Sequence, residues 1–111
     1  MNKPLSGPYY GLHEEMRADD HRQALWADQR ATRGFDNTEL WNLDTTFSKF
    51  VLPRLKAFKD TGYESAEMVG ELDKMIAAFQ AIVDGKHFIG VGNDIEVGLK
   101  SFHDNFFSLW N

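Results

Sequence analysis

The four histidines are the residues of this chain best suited to hold a metal ion or to move a proton. His13 and His21 fall on one face of a predicted helix, but eight residues of helix separate them by about 12 Å, too far to share one ion. His103 and Asp104 are adjacent, and adjacent residues of a helix do not face each other. The chain has no cysteine, so thiolate ligands are absent too. We therefore predict no metal site, no cofactor and no catalytic group.

A tryptophan and a carboxylate in the second predicted helix are the best candidates for a ligand pocket. Asp44 lies about one turn after Trp41 at the border of the apolar face, where a carboxylate is partly desolvated and needs a partner within the fold or a ligand. Asn93 opens a later helix after a glycine-rich connection, and free amides at a helix start can hold an anion. That connection lacks the lysine and Ser/Thr of a phosphate-binding loop, so a flexible connection with a cap is the alternative. Trp41, Asp44 and Asn93 are the candidate ligand-binding residues.

The last predicted helix carries more aromatic side chains than one buried face can hold. Residues 102–110 include four aromatic residues, whereas a core accommodates only about half of a helix's circumference. Phe107 and Trp110 lie off the line of the other apolar residues. They either form an exposed patch for a second subunit or a partner protein, or the first helix covers them.

The negative charge is concentrated in the second half of the chain. The net charge is −5, and residues 63–111 carry eight acidic side chains against three lysines. Such a surface disfavours nucleic acid, whose binding needs several cations on one face. It suits contact with a basic protein, with Glu64, Glu67 and Glu71 as candidate interface residues, or it serves only solubility.

Four helices are predicted from apolar spacing and from cap and turn residues. Asp36 and Glu39 have the spacing of a capping box, and so do Asn93 and Glu96. Pro53 interrupts the second helix, so we expect a kink or a break there. The predicted elements are an extended segment at 1–11 and helices at about 12–33, 36–60, 65–84 and 93–110.

Two of these helices have a continuous apolar face at spacings of three and four residues. The face of the second helix comprises Leu40, Leu43, Phe47, Phe50, Val51, Leu55 and Phe58. The face of the third comprises Met68, Leu72, Met75, Ile76, Phe79, Ile82 and Val83. The connection at 86–92 is either a loop folded onto the core or one short extended segment. The pattern predicts a single all-α domain, a small antiparallel bundle of about four helices.

Composition limits the class of protein further. The chain has 111 residues, of which 42% are hydrophobic, enough for one core without disulfides or structural metal. Its first residues have no apolar stretch typical of a signal peptide, and no run reaches the ~18 apolar residues of a membrane span. We therefore expect a cytoplasmic protein that does not enter membranes.

Several segments together are similar to those of a known group of proteins. They are Arg33-Gly34-Phe35-Asp36, Leu40-Trp41-Asn42-Leu43-Asp44, Leu52-Pro53-Arg54-Leu55, Gly98-Leu99 and Phe106-Phe107-Ser108-Leu109-Trp110. Over about half of its length the chain resembles small proteins encoded by tailed bacteriophages, with their Trp-x-Leu-Asp helix start and Phe-Leu-Trp terminal stretch. The resemblance implies a phage-encoded accessory protein that acts in the bacterial cytoplasm. It includes no motif of known chemistry, so no site residue follows from it.

The expected function is protein interaction without catalysis. A phage accessory protein of this kind would bind or inhibit a host protein, such as a defence protein, or a phage protein, because an acidic helical protein can occupy a basic nucleic-acid channel. It would use the acidic second half and the aromatic end, and it could self-associate into a homo-oligomer. The alternatives are a helical protein that sequesters a small ligand or nucleotide, and a minor virion or assembly component.

Overall fold

The computed structural model describes residues 21–110, and its regular structure there consists of helices without any strand. The all-α prediction is confirmed. The four α-helices are α1 (Gln23–Arg33), α2 (Leu43–Asp60), α3 (Ala66–Val83) and α4 (Asn93–Asn105), and short 3₁₀-helices cover Asn37–Leu40, Lys86–Ile89 and Phe106–Ser108. None of these helices is both long and apolar enough to cross a membrane. The chain divides into two compact units, Met1–Thr46 and Phe47–Asn111.

The first helix ends where the sequence predicts. α1 stops at Arg33 because Gly34 takes a left-handed conformation with φ of 86°, and the Gly34 amide donates to the Arg30 carbonyl at 3.0 Å. Residues 12–20 of the predicted helix and the extended segment predicted at 1–11 lie outside the described residues, as does His13.

The predicted second helix is divided into two elements. Asp36 and Glu39 form the predicted capping box, in which the Asp36 amide donates to Glu39 Oε2 at 2.9 Å. The box stands at the start of a 3₁₀-helix. The helix is of this type because the Trp41 amide bonds to the Thr38 carbonyl three residues back. The bonds to the carbonyl four residues back that define α2 begin only with the amide of Thr46. The prediction of one continuous helix from 36 to 60 is therefore wrong. The carbonyls of Asp36 and Thr38 accept from amides three residues on, so they form a 3₁₀-helix before α2 begins.

α2 continues through Pro53 to Asp60, so the expected alternative of a break at this proline is wrong. Proline removes the hydrogen bond to the Lys49 carbonyl. Pro53 lies on the exposed side of α2, where water can satisfy that carbonyl. On the other side, Leu52 and Leu55 anchor the helix in the core of the second unit.

The buried face of α3 agrees with the prediction, whereas that of α2 agrees only in part, at Leu55, Val51 and Phe58. Leu72, Met75, Phe79 and Ile82 of α3 are all buried. The buried line of α2 runs instead through Ser48, Leu52 and Leu55, at the same spacing of four and three. Because Ser48 is polar, a search for apolar residues at helical spacing does not detect this line. The predicted α2 face is wrong for four side chains that are 38% to 60% exposed: Leu40, Leu43, Phe47 and Phe50.

α3 and α4 run antiparallel and are in close contact at Gly98. A Cβ atom added at Gly98 would collide with Ala78 Cβ and with the Lys74 carbonyl oxygen. Further along α4, Ser101 Oγ donates to the Glu71 carbonyl oxygen at 3.1 Å. Gly98 thus meets Lys74, and Ser101 meets Glu71. Because the residue number increases along α4 while it decreases along α3, the two helices are antiparallel.

The start of α4 also differs from the prediction. The N-cap is Gly92, which is extended (φ −79°, ψ 169°) and offers no side chain, so the capping box predicted for Asn93 and Glu96 does not form. Asn93 is instead the first helical residue. The preceding connection is neither a loop nor an extended segment over its first part, because Lys86–Ile89 forms a 3₁₀-helix.

Candidate protein-interaction surface

Five phenylalanine rings of the second unit form a row of edge-to-face contacts. Phe79 of α3 contacts Phe47 of α2 and Phe102 of α4, with ring centroids 5.9 Å and 5.1 Å apart. The row continues from Phe102 to Phe106 and from Phe106 to Phe107, each pair at 5.5 Å. Each such contact adds about 0.5–1.5 kcal/mol beyond the burial of the rings. The row thus links the core to the segment that follows α4.

Exposure rises steeply along this row. Phe79 is 2% exposed, Phe106 is 51% exposed and Phe107 is 90% exposed; Trp110, three residues later, is 75% exposed. We call Phe106, Phe107 and Trp110 the aromatic end. Phe107 and Trp110 are the two rings that the sequence places off the line of the other apolar residues of the last helix.

A change of helix type sets these rings apart from the core. α4 ends at Asn105 and a 3₁₀-helix covers Phe106–Ser108. Beyond this short helix Leu109 packs against the core, whereas Phe107 and Trp110 on either side of it in the chain remain exposed.

A shallow acidic depression adjoins the aromatic end. Its volume is about 340 Å³. It lies where the start of α3 meets the last residue of α4, Asn105, which directly precedes Phe106. The lining residues are Ser65, Glu67, Met68, Glu71 and Asn105.

Glu71 is committed to contacts within the fold. Its Oε2 accepts from Lys74 Nζ at 2.9 Å, and its Oε1 accepts from Ser101 Oγ at 2.8 Å and from Asn105 Nδ2 at 3.4 Å. The hydrogen bond from Lys74, followed by that from Ser101, holds the pKa of Glu71 below its ordinary value of 4.5, against a smaller opposing effect of desolvation. Two of the three donors belong to α4, so the carboxylate ties α4 to α3.

Replacing Glu71 by glutamine is expected to lower the free energy of unfolding at pH 7 and to have less effect in acid. A carboxyl whose folded-state pKa is depressed stabilises the fold above its unfolded-state pKa, and this contribution disappears as the pH falls through the lower folded-state pKa. Urea unfolding of wild type and Glu71→Gln at pH 7 and at pH 3 measures the difference.

Asp28→Asn is the control for this comparison, because Asp28 is exposed and its side chain has no partner among residues 21–110. Its stability difference from wild type should stay near zero at both pH values. If Glu71→Gln lowers the free energy of unfolding by the same amount at pH 7 and at pH 3, the stabilisation does not come from the charged form of Glu71.

The other two predicted interface carboxylates are placed differently. Glu64 is half-buried and accepts from Thr61 Oγ1, at 3.2 Å and 3.3 Å to its two oxygens. Glu67 is exposed at the rim of the depression, and its carboxylate forms no hydrogen bond or ion pair with any residue in the described part of the chain. Glu67 is therefore the carboxylate best placed to meet a partner.

Trp41 lies in a small cluster of the first unit. Its ring meets that of Trp26 edge-to-face at 5.8 Å, and the Arg22 guanidinium lies 4.7 Å from the Trp26 ring and 5.6 Å from the Trp41 ring. Trp41 remains 56% exposed. The expectation that Asp44 is partly desolvated is wrong: it is exposed in the first turn of α2, where its Oδ1 accepts from the Thr45 amide at 2.8 Å.

Asn93 belongs to the other unit and lines a separate depression of about 360 Å³. Lys86 contributes a cation there, but Asp94 also lines the depression, and Glu96 follows in the same first turn of α4. These carboxylates would repel an anion from the helix start. A nucleotide site at Asn93 is thus disfavoured by the local charge.

Sequence reasoning missed a buried ion pair in the first unit. Arg30 and Asp36 are 1% and 0% exposed, and Arg30 Nη1 lies 2.5 Å from Asp36 Oδ2. The other oxygen of Asp36 accepts from the amide of Thr38 at 2.9 Å and from its hydroxyl. The sequence identified Asp36 only as a helix cap. An arginine six residues before a cap is no recognised spacing, so no signal was available.

Across the described residues, no three His, Asp or Glu side chains converge as ligands for one metal ion. Comparison of the chain with protein families, curated proteins and solved structures finds no match.

Proposed function

We propose that this chain is a non-enzymatic interaction protein that binds another protein through its aromatic end. The observation that carries the proposal is the exposure of Phe106, Phe107 and Trp110, at 51%, 90% and 75%, within one five-residue segment. Contiguous exposed aromatic surface typically marks a protein interface, where tryptophan and phenylalanine are enriched.

The rings are also held in a way that suits binding. Phe106 and Phe107 continue a row of ring contacts from the buried Phe79, so the segment is anchored to the core. An anchored ring loses less conformational entropy on association than a mobile one. More of the free energy gained by burying the ring therefore contributes to the affinity. Phe106, which contacts both Phe102 and Phe107, is therefore the best-anchored ring of the aromatic end.

The nature of the partner follows from the resemblance to phage-encoded proteins. On that basis the partner is a host or phage protein in a bacterial cell, and a phage accessory protein would act by occupying a surface that the partner needs. The competing proposal of nucleotide sequestration has weaker support, because Asp94 lies in the depression that Asn93 lines.

The test compares wild type with the double variant Phe107→Ser/Trp110→Ser. Both side chains are exposed, so the variant should lose no more than the Phe106–Phe107 ring contact, about 0.5–1.5 kcal/mol, and should remain folded. Proteins retained from a bacterial lysate by immobilised wild type should be lost with the variant. For a purified partner, calorimetry should show at least about 30-fold weaker binding, as expected when an aromatic hot spot is removed.

Ile89→Ser is the matched control, since Ile89 is 93% exposed but precedes α4, whereas the aromatic end follows it. This variant should retain the same partner with the same Kd. If the double variant binds the partner as tightly as wild type, the aromatic end is not the binding surface. If wild type is a dimer that the double variant makes monomeric, the bound protein is a second copy.

A further inference from the structure

The charges around the aromatic end are unequal in sign, and this decides what kind of protein surface fits it. Five carboxylates lie just before α3, in its first half and at the end of α4, but only three lysines pair with them. The pairs are Lys59 with Asp73 at 2.6 Å, Lys74 with Glu71 at 2.9 Å and Lys100 with Asp104 at 2.8 Å. Among residues 21–110, Glu64 and Glu67 are left without a cation.

The start of α3 does not cancel this excess. A helix amino terminus carries about half a positive charge, whereas Glu64 and Glu67 together carry two negative charges. The surface beside the aromatic end is therefore net negative. The negative potential is local, because the other carboxylates named here already have counter-ions within 3 Å.

The adjoining depression has the chemistry to receive a cationic side chain. The Glu67 carboxylate stands at its rim, and the Met68 side chain supplies an apolar wall. Lysine and arginine need both, because their methylene stems pack on apolar surface while the charged head seeks a carboxylate. Asn105, which lines the depression, directly precedes Phe106 in the chain, so the depression lies close to the start of the aromatic end.

We propose that the partner of the aromatic end is a basic amphipathic segment of another protein. Its large apolar side chains cover Phe106, Phe107 and Trp110, and a neighbouring lysine or arginine enters the depression to pair with Glu67. This inference rests on the proposed function and adds the chemistry of the partner. A second copy of the chain fits less well, because a two-fold contact repeats the same negative surface on both sides.

The probes are two labelled helical peptides with the same leucine face, one with lysines and one with glutamates on its polar face. Fluorescence anisotropy at two salt concentrations measures their binding to the full chain. The lysine peptide should bind, more weakly at higher salt, and the glutamate peptide should bind far less. Phe107→Ser should weaken binding of the lysine peptide as it weakens binding of a partner.

Glu67→Gln should weaken the binding of the lysine peptide about two- to fivefold, the loss expected for one partly exposed ion pair. Glu96→Gln is the matched control, since it removes the same charge nine residues before Asn105, about 13 Å along α4. That variant should leave the affinity unchanged. An equal loss for both variants would show general attraction by net charge and would overturn the placement at Glu67.

Other outcomes separate this inference from the function on which it rests. If the glutamate peptide binds as well as the lysine peptide, or if the protein captured through Phe107 and Trp110 has an acidic contact surface, the basic partner is wrong while protein binding stands. Dimerisation that depends on Phe107 would replace the basic segment by a second copy. If neither peptide nor any protein binds in a way that depends on Phe107, both proposals fail.

Discussion

Substituting Gly98 with alanine is expected to destabilise the protein by about 1–3 kcal/mol, although alanine is the better helix former by about 1 kcal/mol. The added Cβ would collide with Ala78 Cβ and with the Lys74 carbonyl oxygen. Neither of these atoms belongs to a flexible side-chain end, so α4 as a whole must move away from α3. That movement would also stretch the bond from Ser101 Oγ to the Glu71 carbonyl, now 3.1 Å.

Gly70→Ala is the matched control, because Gly70 lies inside α3 and a Cβ added there meets nothing within 4 Å. This variant should gain up to about 1 kcal/mol from helix propensity. Urea unfolding of the two variants should thus shift in opposite directions from wild type. A stabilised Gly98→Ala would show that the two helices are not in close contact at this position.

α3 shows which parts of the fold the sequence predicts well. Its apolar residues recur at spacings of three and four, Ser65 accepts from the Met68 amide at 3.2 Å as its cap, and Gly85 ends the turn that follows it. These signals are local and agree with one another. The predicted span 65–84 consequently differs from the observed Ala66–Val83 by one residue at each end.

α2 shows why an apolar pattern alone misplaces a face. Phe47 and Phe50 are among its largest apolar residues, yet they are 43% and 38% exposed, while Ser48 is 1% exposed. Which side of a helix is buried depends on the neighbours it packs against, and a serine can fill a narrow space that a larger ring cannot. Periodicity predicts that a face exists, and the packing partner decides which residues it contains.

In the candidate site, the sequence predicted the residues that can be identified from their spacing along a helix. It could not predict which side chains pair with residues far away in the chain. Phe107 and Trp110 follow from an excess of aromatic residues over one face, and both are exposed. The difference between Glu67 and Glu71 does not follow from sequence. Glu71 meets Ser101, thirty residues away, and only the packing of α4 on α3 brings the two together.

Replacing Asp36 with alanine is expected to cost about 3–5 kcal/mol, the usual loss when one partner of a buried ion pair is removed. Asp36 and Arg30 are 0% and 1% exposed, so the guanidinium would lose the carboxylate opposite it in a place that water reaches poorly. The same change removes the cap of the 3₁₀-helix and the acceptor of the Thr38 amide at 2.9 Å. These losses overlap and do not add, because they share one carboxylate.

The unfolding of the first unit can be followed separately in a Trp110→Phe background, since the two remaining tryptophans, Trp26 and Trp41, both lie in it with their rings 5.8 Å apart. Their fluorescence in urea should report the loss in Asp36→Ala, while Asp28→Ala, on the exposed side of α1, should stay within about 0.5 kcal/mol of wild type. Asp36→Asn distinguishes charge from cap, because asparagine caps as well as aspartate but carries no charge. If the asparagine variant is as stable as wild type, the cap alone matters; a large loss would show that the buried charge of Arg30 requires the carboxylate.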